Sequence, residues 1–267
     1  MNKPLALLPL TLALFLIGGT AGIVLAEQPV RTQPTRLAAG YLSADRMPDD
    51  IKLLPAPPAE GSAELKRDHA AERRALALRG TARWDLAKVD ADIFTANAAN
   101  TMSCAAGFVI GPDTTPQLNT LLRRVMSDLG RASTASKTKY NRPRPFVGNG
   151  QPTCTPEQDG VLRGNGSYPS GHASIGYGWG LILGEVVPAR RSQLRARGHA
   201  FADSRRVCNV HFRSDIDAGE LLATIVVARL QGDPAFQADL AAARAELRSL
   251  PRVKPDCGAE RAALRLR

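Results

Sequence analysis

The chain has 267 residues, 44% of them hydrophobic, and a formal net charge of +10 with histidines neutral. That length and apolar share suit one domain with a substantial core and exclude a wholly disordered chain. The positive balance favours anionic ligands but equally favours solubility, so charge alone selects no partner.

Lys3 precedes an uncharged apolar stretch from Leu5 to Ala26, in which Val24 and Ala26 give the small-residue pattern of a cleavage site. Residues 1–26 read as a secretory signal peptide. The stretch is also long enough to span a bilayer as an uncleaved anchor, although Pro9 and the Gly18-Gly19 pair favour cleavage. Lys3 is the one charged residue of the leader, so a cleaved chain keeps +9 of its +10. The expectation is a periplasmic or secreted protein with no stable membrane association after cleavage. Residues 27–61 are rich in proline and lack periodicity, which predicts an extended arm that wraps the remainder.

The main domain is placed at 62–250, followed by a tail at 251–267. Glu64 to Leu78 is charged, alanine-rich and free of β-branched residues, which suits a surface helix. A second helical segment is predicted over about Leu86 to Ala106. Thr115-Pro116 then provides a cap and a first-turn proline. Leu118, Leu121, Leu122, Val125, Met126 and Leu129 follow at i, i+3, i+4, i+7, i+8 and i+11, one face of an amphipathic helix. Pro143 and Pro145 end any helix continuing through Tyr140. Phe146 to Asn165 reads as a long connecting loop, a kind of segment often tied to function.

Ser170 follows Pro169 and precedes an apolar run from Ile175 to Val187. This predicts a capped helix, apolar nearly all round and therefore central and buried. Ala189 to Val210, Ile216 to Leu230 and a stretch opening at Asp233-Pro234 are further helices. No sustained two-residue alternation occurs, so the fold is predicted to be all-α, a bundle around the helix that starts at Ser170. Cys104, Cys154, Cys208 and Cys257 form an even set with no Cys-x-x-Cys pair, which favours disulfides over zinc and leaves three pairings open.

Three clusters carry the chemistry. Lys137-x6-Arg144-Pro145 supplies cations; Pro169-Ser-Gly-His172 combines a helix start with a histidine; Ser204-Arg205-x5-His211-x3-Asp215 adds a guanidinium, a second histidine and a carboxylate. A helix start binds anions through unpaired N–H groups and the positive end of the macrodipole. Asp215 or Ser214 would equally serve as a plain cap for the helix from Ile216. Arg190, Arg191, Arg195 and Arg197 read as a solvated helix face. A nucleic-acid surface would interleave aromatics with them, and none do, so no nucleic-acid partner is expected. His69 and His199 read as surface histidines.

In order and spacing the three clusters resemble the tripartite signature of the phosphatidic acid phosphatase type 2 superfamily. Lys-x-x-Tyr-x-Arg-x-Arg-Pro-Phe and Gly-Ser-Tyr-Pro-Ser-Gly-His are similar, more narrowly, to bacterial class A non-specific acid phosphatases. The match runs from Lys137 to Asp215. It implies a fold like the vanadium haloperoxidases and hydrolysis of small-molecule phosphate monoesters, with phosphotransfer as a side activity. By resemblance His211 is the nucleophile that becomes phosphohistidine, Asp215 orients it, and His172 is the general acid and then the base. Lys137, Arg144, Ser170, Gly171, His172 and Arg205 bind the phosphoryl group. Spacing selects Arg144 over Arg142 and Arg205 over Arg206, leaving Arg142 and Lys139 at the rim. No carboxylates gather near the histidines in ligand spacing, so neither metal nor cofactor is expected. Residues 146–165 and 94–108 are candidates for the pocket rim. A vanadium-dependent haloperoxidase, a polytopic lipid phosphatase and a non-enzymatic periplasmic anion-binding module are the competing readings. Oligomeric state, including a homo-oligomer, stays open.

Overall fold

The computed structural model describes residues 37–249 and 251–265. The predicted leader, and residues 27–36 of the arm, lie outside the described residues. The fold is all-α. In chain order the helices are α1 (Asp50–Leu53), α2 (Ala63–Leu76), α3 (Ala82–Val89), α4 (Ser103–Ala106), α5 (Pro116–Arg131), α6 (Thr134–Tyr140) and α7 (Pro145–Asn149). They continue with α8 (Asp159–Arg163), α9 (Gly171–Val186), α10 (Arg191–Val207), α11 (Arg213–Leu230), α12 (Pro234–Ser249) and α13 (Gly258–Leu264).

Helix α9 is the hub, packed between α10, α11 and α5. Its apolar sequence leaves no face for water, and Trp179, Ile182 and Leu183 are buried against Leu122, Leu129, Leu194 and Phe201. The Trp179 indole donates to the Leu122 carbonyl at 3.0 Å, so its one polar atom is satisfied inside the core. Contact with α10 is close because two glycines meet there: a Cβ on Gly180 would stand 2.7 Å from the Leu194 carbonyl oxygen, and one on Gly198 3.2 Å from that of Gly176. The predicted stripe of α5 is fully buried, with α12 on its other side.

The described part of the arm wraps rather than forming a layer of its own. Asp128 of α5 accepts from the backbone N–H groups of Tyr41 and Leu42 at 2.7 and 3.2 Å, which pins an otherwise unpaired strand of chain to the core. Disulfides join Cys104 to Cys257 and Cys154 to Cys208. The first ties the last helix, α13, to the start of α4.

Two predicted segments differ. The helix expected over Leu86–Ala106 breaks after α3, because Asp92 turns its carboxylate to the N–H groups of Phe94 and Thr95 at 3.0 and 3.1 Å and so competes with the helical ladder. The expected loop of 146–165 holds α7, opened by Pro145 and closed by Gly150 at φ 64°, and the short α8. Local first-turn proline and left-handed glycine make short helices that carry too few residues for periodicity to register.

Candidate active site

The site grows from two helix starts held together. Ser170 is extended (φ −77°, ψ 110°) and its Oγ accepts from the Ala173 N–H at 3.2 Å, capping α9. Its hydroxyl hydrogen is thereby left to donate elsewhere, since a hydroxyl carries one donor and two acceptor lone pairs. The Ser170 N–H donates to the Asp215 carbonyl at 2.9 Å, which locks the start of α9 to that of α11. The approach requires glycine at 219, where a Cβ would collide with the Ser170 carbonyl. Asp215 Oδ2 in turn accepts from the Phe212 N–H at 2.8 Å, so this carboxylate is both a helix cap and a site residue.

His211, 2% exposed, sits two residues before α11. Its Nε2 lies 2.9 Å from Arg144 Nη1. A guanidinium can only donate, so Nε2 carries the lone pair and the proton resides on Nδ1. Nδ1 faces Asp215 Oδ2 at 3.4 Å, an ion-pair distance without hydrogen-bond geometry. Arg144 is itself fixed by the carbonyls of Leu162, Asn165 and Val210 at 2.9, 3.0 and 3.1 Å. The 146–165 segment therefore acts on the site by gripping this guanidinium. Lys137 Nζ donates to the Gly166 carbonyl at 2.6 Å.

Arg205, near the end of α10, is fully buried, and none of its three guanidinium nitrogens has a hydrogen-bond partner in the protein. Burial pushes it down to about 9, with the positive charge of Arg144 adding to the effect. Burial likewise brings Lys137 down to about 7 and Arg144 to about 10, and Arg144 and Arg205 depress Lys137 further. Burial first, then Arg144, Lys137 and Arg205, hold His211 well below the ordinary imidazole value, so it is neutral. His172 is depressed by burial and then by Arg205 and His211; its Nε2 lies 3.2 Å from the Ala91 carbonyl oxygen. Burial raises the Asp215 carboxyl, opposed mainly by Arg142. The result is a buried excess of cations facing neutral imidazoles, an environment that a dianion would neutralise.

Lys137, Arg144, Gly171, His172 and His211 line one cleft of about 1420 Å³, whose outer walls include Ile93, Phe94 and Val161. Phe108, at the far end of the predicted rim segment, is instead buried in the core.

The sequence matches the model of the PAP2 superfamily over residues 119–231. It is 41% identical to a non-specific acid phosphatase of Salmonella typhimurium over 73% of this chain and 78% of that one. It is 36% identical to the non-specific acid phosphatase of Providencia stuartii, covering 90% and 98%. An acid phosphatase of Zymomonas mobilis is 38% identical over 74% and 75%. The chain belongs to the PAP2 superfamily, among its acid phosphatases.

Two arginines of this phosphatase correct the sequence reading. Arg142 is not at the rim. It is a largely buried strut whose Nη1 donates to Asp215 Oδ1 at 2.5 Å and whose Nη2 pairs with Asp68 at 2.9 Å, with the guanidinium stacked 4.2 Å over the Phe212 ring. Asp68, on α2, also accepts from the Ser214 N–H at 2.9 Å. It was missed, yet a signal existed: Asp68, Ala71 and Ala75 are the buried positions of α2 at i, i+3 and i+7, so the acid stands on the apolar stripe of a surface helix. Arg197 is likewise not on a solvated face but buried between Asp90 and Glu260, at 2.5 and 2.8 Å. Arg190, Arg191 and Arg195 are exposed or partly so, and Lys139 is exposed. His69 and His199 are half-exposed and paired with Glu72 and Glu220, both at 2.9 Å.

Among the described residues, no three His, Cys, Asp or Glu side chains are grouped to hold a metal ion. No described helix is long and apolar enough to cross a membrane.

Proposed function

We propose that this phosphatase is exported and hydrolyses small-molecule phosphate monoesters, without a metal, through a phosphohistidine at His211. The observation that carries this reading is the pairing of an unpartnered, buried Arg205 guanidinium with a neutral His211 whose Nε2 lone pair is defined by Arg144. A buried charge without a partner is expensive and is retained where a ligand completes it. The planar fork matches two oxygens of a phosphoryl group.

In the first half-reaction His211 Nε2 attacks phosphorus as the P–O bond to the leaving group breaks. Arg144 Nη1 passes from Nε2 to a phosphoryl oxygen, and Arg205, Lys137, the Ser170 hydroxyl and the Gly171 and His172 N–H groups take up the charge spread over the equatorial oxygens. Asp215 stabilises the imidazolium that forms, and Arg142 keeps Asp215 ionised and aimed. Protonated His172 gives its proton to the departing oxygen, releasing an alcohol. The bound dianion offsets the cations that depress His172, so the acid form is available when substrate is present. In the second half-reaction neutral His172 takes a proton from water, which attacks phosphorus; the P–N bond breaks, phosphate leaves and Nε2 regains its lone pair. An alcohol in place of water gives phosphotransfer.

The disulfides support export, because such bonds persist in oxidising compartments. The wide cleft, whose lining mixes apolar Ile93, Phe94 and Val161 with polar Thr138, Asn141 and Gln158, supports tolerance of varied leaving groups. Assay of p-nitrophenyl phosphate hydrolysis tests the reading. His211→Ala is expected to abolish turnover while EDTA leaves the wild type unaffected; full activity in the variant, or loss on chelation with rescue by a divalent ion, would refute it.

A further inference from the structure

His172 meets a backbone carbonyl, and that carbonyl follows a carboxylate outside the site that is engaged by four donors among the described residues. Asp90 closes α3 and is fully buried. It accepts from Arg197 Nη2 at 2.5 Å and Nη1 at 3.2 Å, from Thr101 Oγ1 at 2.5 Å and from Ser204 Oγ at 2.6 Å. Four donors use up the acceptor capacity of one carboxylate and fix its position. Three of those donors, both Arg197 nitrogens and the Ser204 hydroxyl, stand on α10, with Ser204 next to Arg205. Arg197 is further held by Glu260 of α13. The next residue, Ala91, turns its carbonyl to His172 Nε2 at 3.2 Å, and Ile93 and Phe94 beyond it reach the cleft wall. The turn that touches His172 is thus tied to the helix that carries the phosphate-binding guanidinium, although Asp90 touches neither the cleft nor the reacting atoms.

We propose that Asp90 is a positioning residue for proton transfer: it anchors the Ala91 carbonyl, which accepts from His172 Nε2–H and so presents Nδ1 to the leaving-group oxygen. A carbonyl acceptor fixes which nitrogen is occupied and favours the protonated ring. Proton delivery tolerates little misalignment, because the general acid must lie within hydrogen-bond reach of the leaving oxygen. This inference rests on the reading of His172 as general acid.

A positioning role differs from a merely structural one in how the defect depends on the leaving group. A nitrophenolate departs with little help from a proton, whereas an alkoxide needs one. The experiment compares kcat/KM, which reports the steps up to cleavage of the P–O bond, on p-nitrophenyl phosphate and on a simple alkyl phosphate for the wild type, Asp90→Asn, His172→Asn and the double variant, with folding checked by circular dichroism. Asp90→Asn is expected to lose about tenfold on the alkyl ester and severalfold less on the aryl ester, a fraction of the 10²–10⁴ that a positioned acid contributes. His172→Asn should show the same bias more strongly, and Asp90→Asn should add little to it in the double variant. Should Asp90→Asn fold poorly, Thr101→Val, which removes one donor to the same carboxylate, gives a smaller bias in the same direction. If His172→Asn is biased and neither Asp90→Asn nor Thr101→Val is, the positioning role is overturned while the general acid stands. If His172→Asn shows no bias either, the general-acid reading fails and takes this inference with it.

Discussion

Helix α10 carries two buried arginines two turns apart, and they are opposites. Arg197 meets two carboxylates, Asp90 and Glu260, and its guanidinium is raised above its ordinary value once those partners outweigh burial. Arg205 is just as buried, has no partner and is pushed down to about 9 by burial. Same residue type, same helix and same degree of burial give a strut in one case and, in the proposed function, a binding group in the other. The difference lies in what the neighbouring elements offer: α13 and the end of α3 bring acids into hydrogen-bond contact with Arg197, whereas the starts of α9 and α11 bring the imidazoles of His172 and His211, and the start of α7 the cation Arg144, towards Arg205. In the proposed function the ligand completes the arginine that the fold leaves incomplete.

The sharpest way to break this contrast is to remove each in turn. Arg205→Met should lower kcat/KM by about 10³-fold or more, as loss of a transition-state guanidinium does, while stability in denaturant holds or rises because an unpaired buried charge has gone. Arg197→Met should instead cost about 3–5 kcal/mol of stability, since it strands Asp90 and Glu260 without their cation. Matching activity and stability losses in the two variants would contradict the division of roles. Next in size, Arg142→Ala should lower kcat by about 10²-fold with little change in KM, short of the ~10⁴ that follows disruption of an orienting aspartate itself.

Ligand linkage sharpens the same comparison. Inorganic phosphate at about 100 times its Kd should stabilise the wild type by about 2.7 kcal/mol and Arg197→Met by the same amount relative to its own baseline, but should leave Arg205→Met unmoved in thermal melts. The smallest effect concerns Lys137. Its folded-state value of about 7 against an ordinary 10.5 means that the folded chain binds fewer protons than the unfolded one between those limits. Its contribution is therefore unfavourable below pH 7 and is relieved as pH rises towards 10.5. In the proposed function binding runs the other way, because the ammonium that would pair with phosphate is lost as pH passes 7. KM should rise severalfold above neutrality in the wild type, and Lys137→Met should flatten that rise while raising KM at acid pH.

Much of the fold was legible because its longest elements announce themselves. The i, i+3, i+4 leucines of α5 and the all-round apolar run of α9 have one stable placement each, and Ser170 and Thr115-Pro116 mark their starts. The short α7 and α8 were not legible, since one turn of helix has no periodicity to read and depends on contacts with residues far along the chain. Of the residues in the three clusters, Lys137, Arg144, Gly171, His172 and His211 line the cleft, while Ser170, Arg205 and Asp215 are fully buried and do not line it. Arg142 and Arg197 were misplaced for a single physical reason: an arginine is a strut only if an acid reaches it, and those acids, Asp68, Asp90 and Glu260, come from segments that read as a surface helix, a further helix and a tail. The glycines at 176, 180 and 184 spaced by four along α9 were also visible without being read; Gly176 and Gly180 mark the side on which α10 packs closest.

In the proposed function, phosphoryl transfer passes through Nε2 of His211 inside the Arg205 cradle. Rapid acid-free quenching of turnover with a labelled monoester, followed by peptide mapping, tests it most directly. The account predicts phosphate on the peptide containing His211, with more of it accumulating in His172→Asn, where water is not activated, and none in His211→Ala. Turnover in His211→Ala at the wild-type rate, or label on another residue, would contradict it.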